Sequence, residues 1–287
     1  MHVDAAATLL RATRISAGLR RRRLTVLSVH GAVVNLVDAD GELVPLAADA
    51  VGGLPDGILV ADAPDFTQRG IRPGMPARWT AEALLVPGAA LLVRTSDAAA
   101  WSPQIAAHDA GAWPFRSTRA WAYTEHIRTR GGLADIAIAT PVLATLDDAI
   151  RSGDRLAAAA ASRRLIGLGP GLTPSGDDAL AGIESALYAT AHPMAGFLAA
   201  ALDDVDARTT TVSSAMLRHA ARGDAAERIQ RLLDGLLARD PHTLAPAIDA
   251  AVRWGATSGS DLLAGVLLGL DAATGVAAPR RLDRMAA

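Results

Sequence analysis

The chain has 287 residues, of which 51% are hydrophobic, so it can bury the core of one large domain or of two unequal ones. Its net charge of -2 argues against a nucleic acid partner, and without a signal-peptide pattern or an apolar run of the roughly 18 residues that a membrane helix needs, we expect a cytoplasmic protein and no membrane contact. It has no cysteine, and all 28 of its Lys and Arg residues are arginine, which excludes thiolate catalysis, Schiff-base lysines and the lysine of Walker-type phosphate loops.

The first hundred residues are predicted to form a short helix and then a small antiparallel β domain. Residues 4–20 are rich in alanine, leucine and arginine, which favours a helix. After residue 24 the chain becomes rich in β-branched residues, and the Asp-Ala-Asp-Gly sequence at 38–41 supplies a hairpin turn. Strands are predicted at residues 24–36, 42–46, 58–61, 84–86 and 89–95. We therefore expect a barrel-like or sandwich-like domain within residues 1–100.

Residues 101–287 are predicted to form a larger, mainly α-helical domain, which makes the whole chain α+β. Apolar residues recur there at helical spacing, with glycine or proline where the periodic segments end. Helices are predicted at residues 105–110, 118–130, 147–164 with a break near Gly153, 176–190, 193–206, 212–222, 225–237, 243–254 and 261–270. The last of these helices is apolar on nearly every side, which predicts that it is buried.

The most distinctive stretch is residues 165–182, which read LIGLGPGLTPSGDDALAG. Three alternating glycines permit positive φ angles and a close approach of the backbone to a ligand. Ser175 and Asp178 have the spacing of an N-cap and a third helical position, which predicts a helix start whose free N–H groups face the loop. Capping alone does not explain Asp177 or the glycines. We therefore predict a pocket for an anion, or for a metal ion and an anion.

The start of this predicted helix is repeated later in the chain. Residues 174–182 (PSGDDALAG) align with residues 257–265 (TSGSDLLAG), 83 positions apart (258 minus 175). The repeat predicts a pair of neighbouring helices whose starts face one site. It also places Asp177 and Asp261 in one pocket, where like charges would require a cation between them.

A third cluster, residues 208–214 (RTTTVSS), places one arginine and five hydroxyls where a helix should begin. It is predicted to be either an oxyanion cradle or a solvated N-cap cluster. The predicted catalytic acids are Asp177, Asp178 and Asp261. The residues predicted to bind substrate or its anion are Gly167, Gly169, Gly171, Thr173, Ser175, Gly176, Arg208, Thr209, Thr210, Ser213, Ser258 and Gly259.

Four motifs together resemble the AllH-like family: S-V-H followed by V-N-L in the first hairpin, the G-x-G-P-G-L-T-P-S-G-D-D loop, R-T-T followed by S-S, and T-S-G-x-D-x-L-A-G. The likeness spans roughly residues 24–270. It implies a subunit of the oxamate carbamoyltransferase of allantoin breakdown, which exchanges oxalurate and phosphate with oxamate and carbamoyl phosphate. Other carbamoyltransferase-type subunits and a small anionic substrate are the partners that this resemblance implies.

The acids of the predicted site would repel a bare phosphate. A Mg²⁺ ion held by Asp177 and Asp261 would resolve the conflict, as would an acid that orients the substrate amide or serves as a base. No organic cofactor is expected. Two other functions fit the same residues: a non-catalytic subunit that binds a metabolite or scaffolds a partner, and a Mg²⁺-dependent phosphotransferase.

Overall fold

The protein is described by a computed structural model, which covers residues 8–61, 65–127 and 132–276. The chain divides into two compact units between Pro103 and Gln104, whereas the sequence analysis placed the boundary after residue 100. The described residues of the first unit form β-strands and short 3-10 helices, and those of the second unit are mainly helical. The α+β prediction is therefore confirmed.

The first unit is an eight-stranded barrel. The described residues of the unit form nine strands, of which the first eight make the barrel: β1 (Thr8–Ser16), β2 (Leu24–Val29), β3 (Val33–Val37), β4 (Leu43–Ala48), β5 (Ile58–Val60), β6 (Pro76–Trp79), β7 (Ala83–Val86), β8 (Leu91–Arg94) and β9 (Ala99–Trp101). The hydrogen-bonded order is β5-β4-β3-β2-β6-β7-β8-β1, and an antiparallel pairing of β1 with β5 closes the circle. β9 pairs in parallel with the end of β1. Alternate side chains point inward, so Val34, Leu36, Leu46 and Leu84 are fully buried.

The predicted helix at residues 4–20 is wrong. Thr8–Ser16 is β1, which pairs with β8, β9 and β5, while residues 4–7 lie outside the described part of the chain. Alanine, leucine and arginine favour a helix locally, but β1 closes the barrel through backbone pairs with strands more than forty residues away. The predicted strand at 24–36 is two strands, since the chain turns at residues 30–32.

The second unit contains nine α-helices among its described residues. They are α1 (Trp113–Ile127), α2 (Ala139–Ser152), α3 (Arg155–Leu165), α4 (Ser175–Ala189), α5 (Val205–Arg208), α6 (Thr211–Ala220), α7 (Glu227–Leu237), α8 (Leu244–Val252) and α9 (Ser258–Ala273). The predicted break between α2 and α3 is confirmed, because Gly153 has a left-handed φ of 75° and ends α2. Residues 128–130 of the predicted helix at 118–130 lie outside the described residues.

Two of the predicted helices are wrong. Residues 105–110 are irregular. The N–H groups of Ile105 and His108 donate to the carbonyls of Gly223 and Ala189, so they are not available for the hydrogen bonds of a helix. The predicted helix at 193–206 is broken by Gly196, whose φ is 81°. It is replaced by a 3-10 helix (Phe197–Ala201) and then α5. Glu184 of α4 contributes to this bend, since its buried carboxylate accepts a hydrogen bond from the N–H of Gly196.

The two repeated helices, α4 and α9, pack directly on each other through glycine. A Cβ on Gly182 would lie 2.3 Å from the carbonyl oxygen of Leu262, and one on Gly265 would lie 2.1 Å from that of Ala179. Because Gly182 is the counterpart of Gly265 and Ala179 that of Leu262, the two contacts are related by a local twofold. The helices can approach this closely only because both positions lack a side chain. The prediction that each helix is the neighbour of its copy is confirmed.

The paired helices run in the same direction. A Cβ on Gly269 would lie 2.7 Å from the Cβ of Ala186, its counterpart in the repeat. Near the other ends of the helices, the hydroxyls of Thr173 and Ser258 lie 2.8 Å apart. Both helix starts therefore lie at one end of the pair, and their dipoles point the same way. α9 is buried along most of its length, as predicted.

Candidate functional site

The glycine loop between α3 and α4 has the backbone conformation that its sequence predicts. The φ angles of Gly167, Gly169 and Gly171 are 76°, 112° and 103°. A Cβ on Gly167 would lie 2.1 Å from the carbonyl oxygen of Arg208, and one on Gly169 would lie 2.9 Å from the backbone nitrogen of Ser175. The loop is therefore a tightly folded segment that has room for glycine only at these points.

The predicted capping box at the start of α4 is wrong. α4 begins at Ser175, its N-cap is Pro174, and no side chain caps it. The N–H of Gly176 donates to the carbonyl of Leu168, and those of Asp177 and Asp178 donate to the carbonyl of Pro174. Because the chain itself satisfies these donors, the helix start offers a ligand fewer free N–H groups than its sequence predicts.

Asp177 of α4 is fully buried, and its carboxylate is hydrogen-bonded to the glycine loop and to the start of α6. Its Oδ1 accepts a hydrogen bond from the N–H of Gly167 at 2.8 Å. Its Oδ2 accepts from the hydroxyls of Thr209 and Ser213, at 2.5 and 2.7 Å. Hydrogen bonds to a buried carboxylate are among the stronger ones in proteins. Both oxygens of Asp177 thus hold the glycine loop onto the start of α6.

We expect Asp177→Ala to lower the free energy of unfolding by about 3 kcal/mol or more, because three hydrogen bonds to a buried carboxylate are lost at once and the buried hydroxyl of Ser213 loses its acceptor. Urea unfolding followed by circular dichroism measures the effect. Asp148→Ala is the matched control, since Asp148 is exposed on α2. An Asp177→Ala variant as stable as this control would show that the carboxylate does not hold the loop.

Asp178 occupies the point where the starts of the two helices come together. It is 3% exposed, and its Oδ2 has no hydrogen-bond partner within the described residues. Its pKa is raised to about 8, mainly by burial and also by the charges of Asp261 and Asp177, while the hydroxyls of Ser258 and Thr173 act in the opposite direction. At neutral pH Asp178 is therefore a protonated acid among hydroxyls.

Asp261, the repeat counterpart of Asp178, is also buried, at 4% exposed. Its Oδ1 accepts from the N–H of Leu133 at 2.7 Å, and its Oδ2 has no partner among the described residues. Burial raises the pKa of Asp261 above its ordinary value, against the effects of Leu133 and the hydroxyls of Ser175 and Thr257. Asp178 feels the charges of both Asp261 and Asp177, although the oxygens of Asp177 are hydrogen-bonded to the loop and to the start of α6.

In the predicted cradle at residues 208–214, the side chains of Arg208, Thr209, Thr210 and Ser213 make hydrogen bonds within the protein. The guanidinium of Arg208 pairs with Asp204 at 2.8 Å, and only its carbonyl faces Gly167. Thr210 caps α6 and donates to the carbonyl of Leu172 at 2.6 Å. The hydroxyls of Thr209 and Ser213 bind Asp177, as described above. Anion binding by Arg208 stays a prediction.

The second helix start resembles the first in its packing. A Cβ on Gly259 would lie 1.9 Å from the carbonyl oxygen of Ala251, as one on Gly176 would lie 2.1 Å from that of Leu165. The N–H of Gly259 donates to the carbonyl of Trp254 at 2.9 Å. Each helix start is therefore seated on the end of the preceding helix, and glycine is required at that point in both copies.

Arg228 belongs to this site and was missed by the sequence analysis. It lies in the first turn of α7, its guanidinium carbon is 4.7 Å from the centroid of the Trp254 ring, and it feels the charge of Asp178. No sequence motif indicates a functional role for Arg228, because the pattern of residues 225–237 predicts only an amphipathic helix. In a chain without lysine, arginine is the side chain that supplies a permanent positive charge to an anion, and that was the one available signal.

Within the described ranges, no group of three or more His, Cys, Asp or Glu side chains is placed to hold a metal ion. Asp177 and Asp261, the predicted Mg²⁺ ligands, direct their carboxylates to different partners. Magnesium stays a prediction. What the site offers chemically is a buried acid that exchanges a proton near pH 8, two nearby hydroxyls and one guanidinium.

Comparison with known proteins finds two family models that match this chain, one in each of its two units. In the described part of the sequence, no helix is long and apolar enough to cross a membrane. No solved structure matches the chain. Residues 4–100 match the model of the AllH family N-terminal domain, and residues 165–270 match the model described as oxamate carbamoyltransferase subunit AllH. The second range contains the whole glycine loop, α4 and most of α9. This chain therefore belongs to the AllH family.

Proposed function

We propose that this chain is a subunit of a carbamoyltransferase that converts oxalurate and phosphate into oxamate and carbamoyl phosphate, and that its site lies at the starts of α4 and α9. The single observation that carries the proposal is Asp178. It is a buried acid with an unpartnered oxygen, and it lies at the point where the two helix starts meet in a family described as oxamate carbamoyltransferase subunit AllH.

Asp178 has the properties that the transfer requires of a proton donor. A phosphate oxygen attacks the carbamoyl carbon of oxalurate, the bond from that carbon to the oxamate nitrogen breaks, and the departing nitrogen must gain a proton. Asp178 supplies this proton, and the proton that phosphate loses restores it. In the reverse direction Asp178 accepts the proton from oxamate. A pKa of about 8 suits both roles, because proton transfer is most efficient when the pKa lies near the working pH.

The protonated state of Asp178 also removes the conflict between acids and a phosphate-type anion. A neutral acid does not repel phosphate, and it donates a hydrogen bond to it. The hydroxyls of Thr173 and Ser258 and the parallel dipoles of α4 and α9 favour negative charge at the same place. We propose that carbamoyl phosphate and phosphate bind there, held by hydroxyls and by the acid rather than by many backbone N–H groups.

The same site would have a second state if it bound Mg²⁺, in which Asp178 is ionised instead of protonated. Asp178 and Asp261 each have one oxygen without a partner in the described chain, and Mg²⁺ is commonly held by one or two carboxylates and substrate phosphates. Bound there, the ion would neutralise charge on the phosphate. An Asp178 that binds the metal is ionised and cannot donate a proton. Calorimetric titration of the chain with Mg²⁺, with and without phosphate, distinguishes the two states.

The test of the proposed function is turnover by the chain alone and by the chain with the other subunits of its assembly. We expect phosphate release from carbamoyl phosphate that depends on oxamate and on the complete set of subunits. A non-catalytic subunit that binds a metabolite or scaffolds its partners would bind phosphate, yet turnover by the assembly would not change when Asp178 is replaced. Transfer of the phosphoryl group instead of the carbamoyl group would identify a phosphotransferase.

A further inference from the structure

We propose that Arg228 and Trp254 form a subsite for the carboxylate of the carbamoyl acceptor, next to the acid that handles the proton. This inference rests on the proposed function, since it names the part of the substrate that one side of the site recognises.

Arg228 is partly exposed to solvent, yet protein closely surrounds its guanidinium. More than a third of the surface of Arg228 is exposed, while desolvation lowers the pKa of its guanidinium. The two facts are compatible if the side chain lines a concave surface, as substrate-binding residues do. A guanidinium in such a place keeps its charge at any physiological pH and lacks part of its water shell.

The guanidinium of Arg228 lies over the ring of Trp254. The Arg228 guanidinium carbon lies 4.7 Å from the centroid of the indole ring, a distance at which cation–π attraction is effective. The backbone of Trp254 is held at the start of α9, because its carbonyl accepts the N–H of Gly259 and its backbone N–H donates to the carbonyl of Ala251. The edge of the guanidinium, with its pairs of N–H donors, is left for a planar oxyanion.

Three other arginines of the same unit each have an acidic partner, whereas Arg228 has none among the described residues. Arg208 pairs with Asp204, Arg218 pairs with Asp206, and Arg231 pairs with Glu227. Within the described residues, no carboxylate lies within ion-pair distance of Arg228. The acid whose charge it feels is Asp178, which is neutral below its pKa of about 8. An arginine without an acidic partner, next to a protonated acid, is a place for an anion from solution.

The chemistry of the acceptor explains why the two groups are neighbours. In oxamate, a single carbonyl carbon separates the reacting nitrogen from the carboxylate. A protein that moves a proton on that nitrogen and also binds the carboxylate must place an acid and a cation close together. Asp178 and Arg228 meet this requirement, and the planar carboxylate matches the bidentate edge of a guanidinium.

The test is calorimetric titration of the full-length chain with oxamate and, separately, with inorganic phosphate. We expect Arg228→Gln to weaken oxamate binding at least tenfold and phosphate binding less than threefold, and Arg228→Lys to give an intermediate loss for oxamate, because lysine binds as a point charge. Trp254→Leu is expected to weaken oxamate binding as well, since the guanidinium loses its support. Arg231→Gln, on the same helix, is the matched control and should bind as the unaltered chain does.

Several results would overturn the inference. If the unaltered chain binds no oxamate, or if Arg228→Gln and Arg228→Lys both bind it normally, Arg228 does not recognise the acceptor. A loss for phosphate alone would assign Arg228 to the phosphate. Because the readout is binding, oxamate affinity that depends on Arg228 in an assembly without transfer activity would refute the proposed function and leave the subsite standing.

Discussion

Replacing Asp178 with asparagine is expected to lower kcat of the assembled transferase by about 10²- to 10⁴-fold, the range that general acid–base groups contribute. Asparagine has nearly the same shape and fits the same buried place, but it cannot give or take the proton of the oxamate nitrogen. Asp148→Asn, an exposed change of the same kind, is expected to leave kcat unchanged. An Asp178→Asn enzyme with normal turnover would exclude Asp178 as the proton donor.

The dependence on pH provides a second measurement of the same residue. The pKa of Asp178 is raised to about 8, so the acid keeps its proton below that pH. In the direction that consumes oxalurate, the activity that depends on Asp178 should fall as pH rises through 8. In the direction that consumes oxamate, Asp178 must first lose its proton, and activity should rise through the same range. The residual activity of Asp178→Asn should therefore show neither the fall in the oxalurate direction nor the rise in the oxamate direction.

The stability of this variant serves as the control for folding. Between about pH 4 and pH 8, native Asp178 binds a proton that the unfolded chain has already released, so its contribution to stability falls as pH rises through its native pKa. The asparagine of the variant has no such proton. The variant should therefore be at least as resistant to urea as the unaltered chain at pH 8 and above. A loss of activity with retained stability would place the effect in the chemistry.

Gly265→Val is expected to have the largest effect on stability, lowering the free energy of unfolding by about 3 kcal/mol or more, or preventing folding altogether. A Cβ at residue 265 would lie 2.1 Å from the carbonyl oxygen of Ala179, and neither backbone can move without separating α4 from α9. Because the starts of these helices form the candidate site, any variant that folds should also bind phosphate less tightly.

Urea unfolding and phosphate titration of Gly265→Val check this expectation together. Gly111→Ala is the control in the same unit of the chain, since a Cβ at residue 111 would approach only the exposed side chain of Asp109, at 3.1 Å. Gly182→Val should behave like Gly265→Val, because the two glycines are counterparts in the repeat. Normal stability in either of these variants would mean that the helices pack differently from the arrangement described above.

The local chemistry of the sequence was sufficient to predict the glycine loop and the helix pair. Alternating glycines have few uses other than positive φ or close approach, and both are found at Gly167 and Gly169. The repeated Ser-Gly and Leu-Ala-Gly segments predicted two similar helices with small faces, which are α4 and α9. These predictions succeeded because glycine acts on the backbone at its own position, whatever the rest of the chain does.

What the sequence by itself determined about this protein is its class, its family and the backbone conformation of the glycine loop, because composition, glycine spacing and the repeat are properties of neighbouring residues. Only the tertiary structure decided the roles. β1 is a strand because distant strands pair with it, and Asp177 is a structural group because the loop and the start of α6 supply three donors. Asp178 is a buried acid, with one oxygen that has no partner among the described residues, because it lies where the starts of α4 and α9 meet. Arg228 lies beside the starts of α4 and α9 because α7 folds back toward Trp254. Burial and long-range contacts set each of these roles, and neither is encoded in the spacing of adjacent residues.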